Sequence, residues 1–238
     1  MKKTTVILIL LLTMSSLLFS YTDSYKKYND NLEWQAFIRA VKCNDGVSEV
    51  ESLYKKYLSG NLTAEERARA EYNMVRYLVD NDRKDEAEKH LALDKAAVDE
   101  MEDRSDVLAQ ISRTDYSSAS YYISKDMFKG MESSSMTKEL YASHSDEIYV
   151  VLMNAWRLIY TPQIAGGSNK NAIKELLPLL GESDNMSEND LYSLYGALAT
   201  AYYNRKDYSS AKEYLALALD IYHGEPTILE LKEKLSKK

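Results

Sequence analysis

From about Asn31 onward, apolar residues recur every three or four positions, and polar clusters interrupt them at intervals of roughly 12 to 20 residues. The spacing predicts helices over 31–42, 46–58, 64–80, 84–101, 104–124, 134–143, 146–160, 169–180, 188–204, 208–222 and 226–237. Start signals sharpen several of these. Thr63-x-x-Glu66 and Ser187-x-x-Asp190 have the form of capping boxes, in which a hydroxyl takes a free backbone N–H and the carboxylate reaches back. Pro226 suits a first helical turn, where its missing N–H costs nothing. Short polar connections between helices of this length make neighbours antiparallel. The expected fold is all-α, with roughly 10 or 11 helices over 31–238.

Composition agrees with that pattern. The 238 residues include only 8 Gly and 3 Pro, against roughly 16 and 12 at average usage. So few turn formers argue against an all-β chain. A different pattern precedes the helices. Met1-Lys2-Lys3 is basic, Thr5 to Phe19 is apolar apart from Thr and Ser, and Ser20 to Ser24 is polar. That order is the order of a signal peptide over 1–20, with a short linker over 21–30. Its apolar stretch, about 15 residues, is short for a membrane span of roughly 20. The expected location is periplasmic or secreted, and an inner-membrane anchor formed by an uncleaved leader is the alternative. No cysteine follows the apolar stretch, so a lipoprotein anchor is not expected. Loss of Lys2 and Lys3 takes the formal charge from −7 to −9, which argues against broad attraction to nucleic acid. Cys43 is the only cysteine, so no intramolecular disulfide can form, and its expected role is that of a small buried hydrophobe.

The clearest internal unit runs from Leu191 to Pro226. Tyr195, Leu198, Ala199 and Tyr202 fall on its first helix, and Tyr208, Ala211, Leu215 and Ala218 on its second. Alanines at these offsets let two helix backbones approach, while tyrosines fill the space around them. The pattern resembles the tetratricopeptide repeat. A second unit, with Trp156, Tyr160, Ala172 and Leu176 at matching offsets, precedes it. The two repeats span 150–183 and 192–225, with 226–238 as a capping helix. The turn of the earlier one, from Tyr160 to Ser168, is about three residues longer, similar to an extension in a subset of exported bacterial tetratricopeptide-like proteins. Pro162 is expected to stop the first helix, Gly166-Gly167 to permit positive φ, and Ser168 to cap the second helix. Upstream the likeness thins, and Glu71 stands where a large apolar residue belongs. The resemblance implies a right-handed superhelical array of antiparallel helix hairpins, an α-solenoid whose units bury their faces on one another.

The chain lacks the nucleophile elbow, the zinc-protease helix, the dinucleotide-binding glycine fingerprint and the EF-hand loop. No catalytic residue, metal ligand or cofactor is therefore expected. His90, His144 and His223 lie far apart and read as surface residues. Carboxylate runs such as Asp94–Asp106 read as solvated helix faces. Most of the 20 tyrosines fall at packing offsets. Others face an inner groove on the geometry that the resemblance implies. That projection gives Arg69, Tyr72 and Arg76 on one helix, Asn154 and Leu158 on another, and Thr200, Tyr203 and Asn204 on a third as candidate partner-binding residues. Tyr and Arg suit such a surface because they combine area, rigidity and hydrogen bonding. The two arginines, seven residues apart, share a face and suit an acidic peptide. The expected function is that of an exported helical-repeat scaffold or adaptor, binding a protein or peptide partner in the cell envelope. The alternative is a small-molecule-binding accessory subunit of an envelope transport system.

Overall fold

The computed structural model describes residues 21–238, and the signal peptide expected over 1–20 lies outside them. Among the described residues the chain is all-α, with twelve α-helices and no strand. They are α1 Lys26–Asn29, α2 Leu32–Cys43, α3 Val47–Leu58, α4 Ala64–Asp80, α5 Lys84–Asp99 and α6 Val107–Ser124. The remainder are α7 Met127–Ser143, α8 Ile148–Tyr160, α9 Asn169–Leu176, α10 Glu188–Asn204, α11 Tyr208–Ile221 and α12 Pro226–Ser236. None of the described helices is long and apolar enough to cross a membrane.

Local chemistry sets most of the helix starts. Thr63 and Glu66 form the expected capping box on α4, with the Thr63 N–H donating to the Glu66 carboxylate at 2.8 Å. Ser187 caps α10, but the Asp190 carboxylate accepts from the Ser187 hydroxyl at 2.6 Å and also turns toward Asn29. Asn31, Asp106 and Asp126 cap α2, α6 and α7. Helix α7 begins seven residues before its expected start at 134. Its buried side is Ser133, Thr137 and Leu140, while Met127, Phe128 and Met131 face outward, so its first half carries no inward apolar stripe. Helix α9 stops at Leu176 because Pro178 has no N–H to donate, and 3₁₀ turns carry the chain over Leu177–Asn185.

Consecutive helices pack on one another along most of the chain, and α4 also packs on α6, α8 on α10 and α10 on α12. Trp34, Phe37, Tyr54, Tyr57, Met74 and Leu78 form a first core from α2, α3 and α4. A second joins Val151, Leu152 and Ala155 of α8 to Leu176, Leu194 and Leu198. In a third, Ala199, Ala211 and Ala218 are fully buried where α10 and α11 meet, which is the close approach their small side chains permit. The long turn after α8 behaves as its residues require. Pro162 holds Thr161 extended, Gly166 sits at φ 95°, and Ser168 caps α9. Gly167 serves a different purpose from its neighbour, since a Cβ there would strike the Thr161 carbonyl.

The two ends of the described chain meet. Gly224, just before α12, lies so close to the Cys43 carbonyl at the end of α2 that a Cβ would strike it. Cys43 itself is half-buried, with Sγ 4.0 Å from His223 Nδ1.

Candidate functional site

Residues 21–30, expected as a linker, are packed into the fold. Thr22 donates its backbone N–H to the Asp146 carbonyl at 2.8 Å and accepts from the Ile148 N–H at 2.9 Å. Glu147, at the start of α8, then receives the Thr22 hydroxyl and the Ser24 hydroxyl and N–H at 2.8 to 2.9 Å. The short helix α1 follows, and its one turn places Tyr25, Tyr28 and Asn29 on the same side. Tyr25 and Tyr28 enter an apolar cluster with Ile111 of α6, Leu140 of α7 and Val150 of α8.

Arg69 of α4 lies at the centre of this seat and is only 3% exposed. Its guanidinium stands 3.9 Å from the Tyr25 ring centre, 4.6 Å from Trp34 and 5.5 Å from Tyr149, an aromatic cage for a desolvated cation. One terminal nitrogen donates to Asn29 Oδ1 at 2.9 Å, and the other, Nη2, has no hydrogen-bond partner among the described residues. Asn29 in turn donates to Asp190 of α10 at 3.2 Å, and the Tyr28 hydroxyl donates to Glu65 of α4 at 3.1 Å. Asp115 of α6 accepts from the Tyr149 hydroxyl at 3.0 Å. Burial pushes the Asp115 carboxyl up to about 7, against the pull of that hydrogen bond and of Arg69 and Arg76. Burial likewise raises Glu147 and Asp190, with their hydrogen bonds opposing it.

A second charged junction ties α2 and α4 to the start of α12. Glu225, the residue before α12, accepts from Lys42 at 3.1 Å and from Arg76 at 3.3 Å. Burial works against the charge of Glu225, but the two cations outweigh it and hold the carboxyl at about 2. The enclosed gap lined by Val41, Asn73, Tyr77 and Glu225 has a volume of about 10 Å³, room for about one water.

The residues projected onto a groove do not share one exposed surface. Arg69 is caged beneath the N-terminal segment, and Arg76 is half-buried against Glu225 and the ring of Tyr122. Tyr72 is half-buried, 6.0 Å from the Arg76 guanidinium. Asn154 and Leu158 are buried in the fold, Asn154 between Glu175 at 2.7 Å and Arg157 at 2.8 Å. Thr200 turns its hydroxyl onto the Gly196 carbonyl, and Tyr203 packs on Tyr208. Asn204 is exposed and bonds Asn169 beside an open polar cleft of about 360 Å³ lined also by Lys170 and Arg205. The structure thus brings Arg69, Tyr72 and Arg76 to the seat and the Glu225 junction, and leaves Thr200, Tyr203 and Asn204 elsewhere.

Asp94 is not on a solvated face: it is 0% exposed, and neither carboxylate oxygen has a hydrogen-bond partner among the described residues. His90 is not a free surface residue: its Nδ1 lies 2.6 Å from Glu71, which Tyr54 also reaches. That pair explains how a buried Glu71 occupies an apolar position. Sequence reasoning missed Tyr25, Asn29, Glu147 and Glu225, and saw Asp190 only as a cap partner, because these roles arise from partners more than 35 residues away. The sequence signal for the seat is three tyrosines, Tyr21, Tyr25 and Tyr28, within ten residues expected as a linker.

The start of α7 carries an exposed apolar patch. Met127, Phe128 and Met131, on the first turns of α7, are 66%, 73% and 63% exposed. Tyr121, at the end of α6, lies beside them and packs against Gly130. No cluster of three or more His, Cys, Asp or Glu among the described residues is arranged to hold a metal ion. Comparison of the chain with protein-family models, with curated proteins and with solved structures found no match.

Proposed function

We propose that this chain is an exported helical-repeat scaffold of the cell envelope, a right-handed array of tetratricopeptide-like hairpins that docks a protein partner at the start of α7. The observation that carries this reading is the exposure of Met127, Phe128 and Met131 together on the first turns of that helix. Exposed apolar residues scattered singly are ordinary on a soluble chain, whereas a contiguous group of them favours an interaction surface. Burying three such side chains under a partner is worth about 1.5–3 kcal/mol each. Packing of α4 on α6 and of α8 on α10 supports the repeat array, since stacked hairpins bring every second helix together.

The small-molecule alternative has less behind it. A drug-sized site is an enclosed, largely apolar pocket of roughly 300–1,000 Å³. The cleft beside Asn204 has the volume, but it is open and lined by Gln163, Ser168, Asn169, Lys170 and Arg205.

The test is affinity capture from an envelope extract with the folded chain and with its Phe128→Asp/Met131→Asp variant. A partner retained by the first and lost by the second, with the melting temperature of both alike, is the expected result. Equal capture by both would remove the α7 patch from the binding surface.

A further inference from the structure

The contacts of residues 21–29 have the character of a bound peptide. Two backbone hydrogen bonds at 146–148 fix its register, as a ligand strand is fixed. Past that point recognition passes to side chains: Ser24 on Glu147, Tyr25 on Arg69, Tyr28 on Glu65, and Asn29 on Arg69 and Asp190. The receiving groups come from α4, α8 and α10, with apolar floor from α6 and α7. Helix α2 does not need the segment in order to start, because Asn31 caps it by accepting from the Trp34 N–H at 3.0 Å. The four residues of α1 are too few to stay helical once undocked. The fit is also incomplete, since the buried Nη2 of Arg69 has no acceptor among the described residues.

We propose that this seat is a peptide-recognition site for a Tyr-x-x-Tyr-Asn turn, occupied in cis by residues 21–29 and open to a partner segment of the same chemistry once they leave. A trans ligand that offers a further acceptor to Arg69 Nη2 gains what the chain's own segment does not supply. Its proximity along the chain gives the native segment a high effective concentration, so it excludes weak competitors without fitting perfectly. The inference is independent of the α7 patch, and either stands if the other falls.

Two measurements on the chain spanning 21–238 test it. In native-state hydrogen exchange, the amides of Thr22, Tyr28 and Asn29 are expected to exchange at least tenfold faster than those in the middle of α10, through an opening that leaves the other helices intact. In the second, a labelled peptide of residues 22–31 is titrated into wild type and into Tyr25→Ala/Asn29→Ala. The variant is expected to bind it at least tenfold more tightly than wild type, and to ignore a peptide with both tyrosines replaced by alanine. The proposal is overturned if the segment's amides exchange only with global unfolding, or if the variant is folded and binds no peptide. A double variant that cannot fold also overturns it, because the segment then belongs to the core.

Discussion

A carboxyl group that is fully buried with no hydrogen-bond partner for either oxygen among the described residues, as at Asp94, keeps its proton at neutral pH. Burial, with Asp115 and Glu71 adding repulsion, pushes it up to about 9 from an ordinary 3.8. The folded state therefore binds a proton that the unfolded chain has lost, and this residue's contribution makes stability fall as pH rises between about 4 and 9. At pH 7 the cost is on the order of 4 kcal/mol. Asp94→Asn keeps the shape without the titration, so it is expected to stabilise the protein by about 2–4 kcal/mol at pH 7 and to flatten the slope. Urea denaturation at several pH values checks this, and a destabilised variant with an unchanged slope would refute it. Glu225 has the opposite sign. Its carboxyl is held at about 2 despite burial, by Lys42 and Arg76, so its contribution is present above about pH 4.5 and is lost as pH falls toward 2. Glu225→Gln is expected to cost about 3 kcal/mol at pH 7 and to make the acid limb of the stability profile shallower, with Glu65 and Asp106 supplying what remains. None of this was legible in the sequence. Asp94 lies among other charged residues there, and only the packing of α4, α5 and α6 around it shows that it is desolvated.

At the scale of elements, helices were legible where one face is apolar and a cap stands at the start. α4 and α10 begin where Thr63 and Ser187 predict. Periodicity predicts only the part of α7 from 134 on, because its early apolar residues face solvent and the buried side there is hydroxylated, leaving no inward stripe. The turn after α8 was readable in outline, but its two glycines separate only in three dimensions. Gly166→Ala meets no neighbour and bears only the strain of positive φ, roughly 1 kcal/mol. Gly167→Ala drives a Cβ into the Thr161 carbonyl and is expected to cost more, about 1–3 kcal/mol together with a shifted loop. Thermal melts of the two single variants should rank them in that order, and the reverse order would show that the loop yields freely.

For the molecule as a whole, the consequential feature is that its ends are joined. Arg39 reaches Glu188 at 3.3 Å, Asn29 reaches Asp190, and Lys42 and Arg76 share Glu225, so α2 and α4 are tied to α10 and α12. An open repeat array unfolds in segments, since each unit touches only its neighbours. A joined one is expected to unfold as a unit. Trp34 lies in the first core and Trp156 packs against the second, so Trp156→Phe and Trp34→Phe each leave a single fluorophore reporting on one region. Within each variant the urea midpoint from tryptophan fluorescence is expected to coincide with that from far-UV circular dichroism, and midpoints separated beyond their errors in the same variant would show two independent parts.

The sequence by itself determined the helical class, most helix boundaries and the placing of small residues where helices approach, because these follow from local periodicity, caps and side-chain volume. It also pointed to Arg69 and Arg76 as residues sharing one helix face. Only the tertiary structure decided what that face meets. The N-terminal tyrosines seat against Arg69, Glu225 returns from the far end of the chain to Arg76 and Lys42, and Asp94 loses its water. Each depends on residues distant in sequence, and periodicity within a single helix carries no information about them.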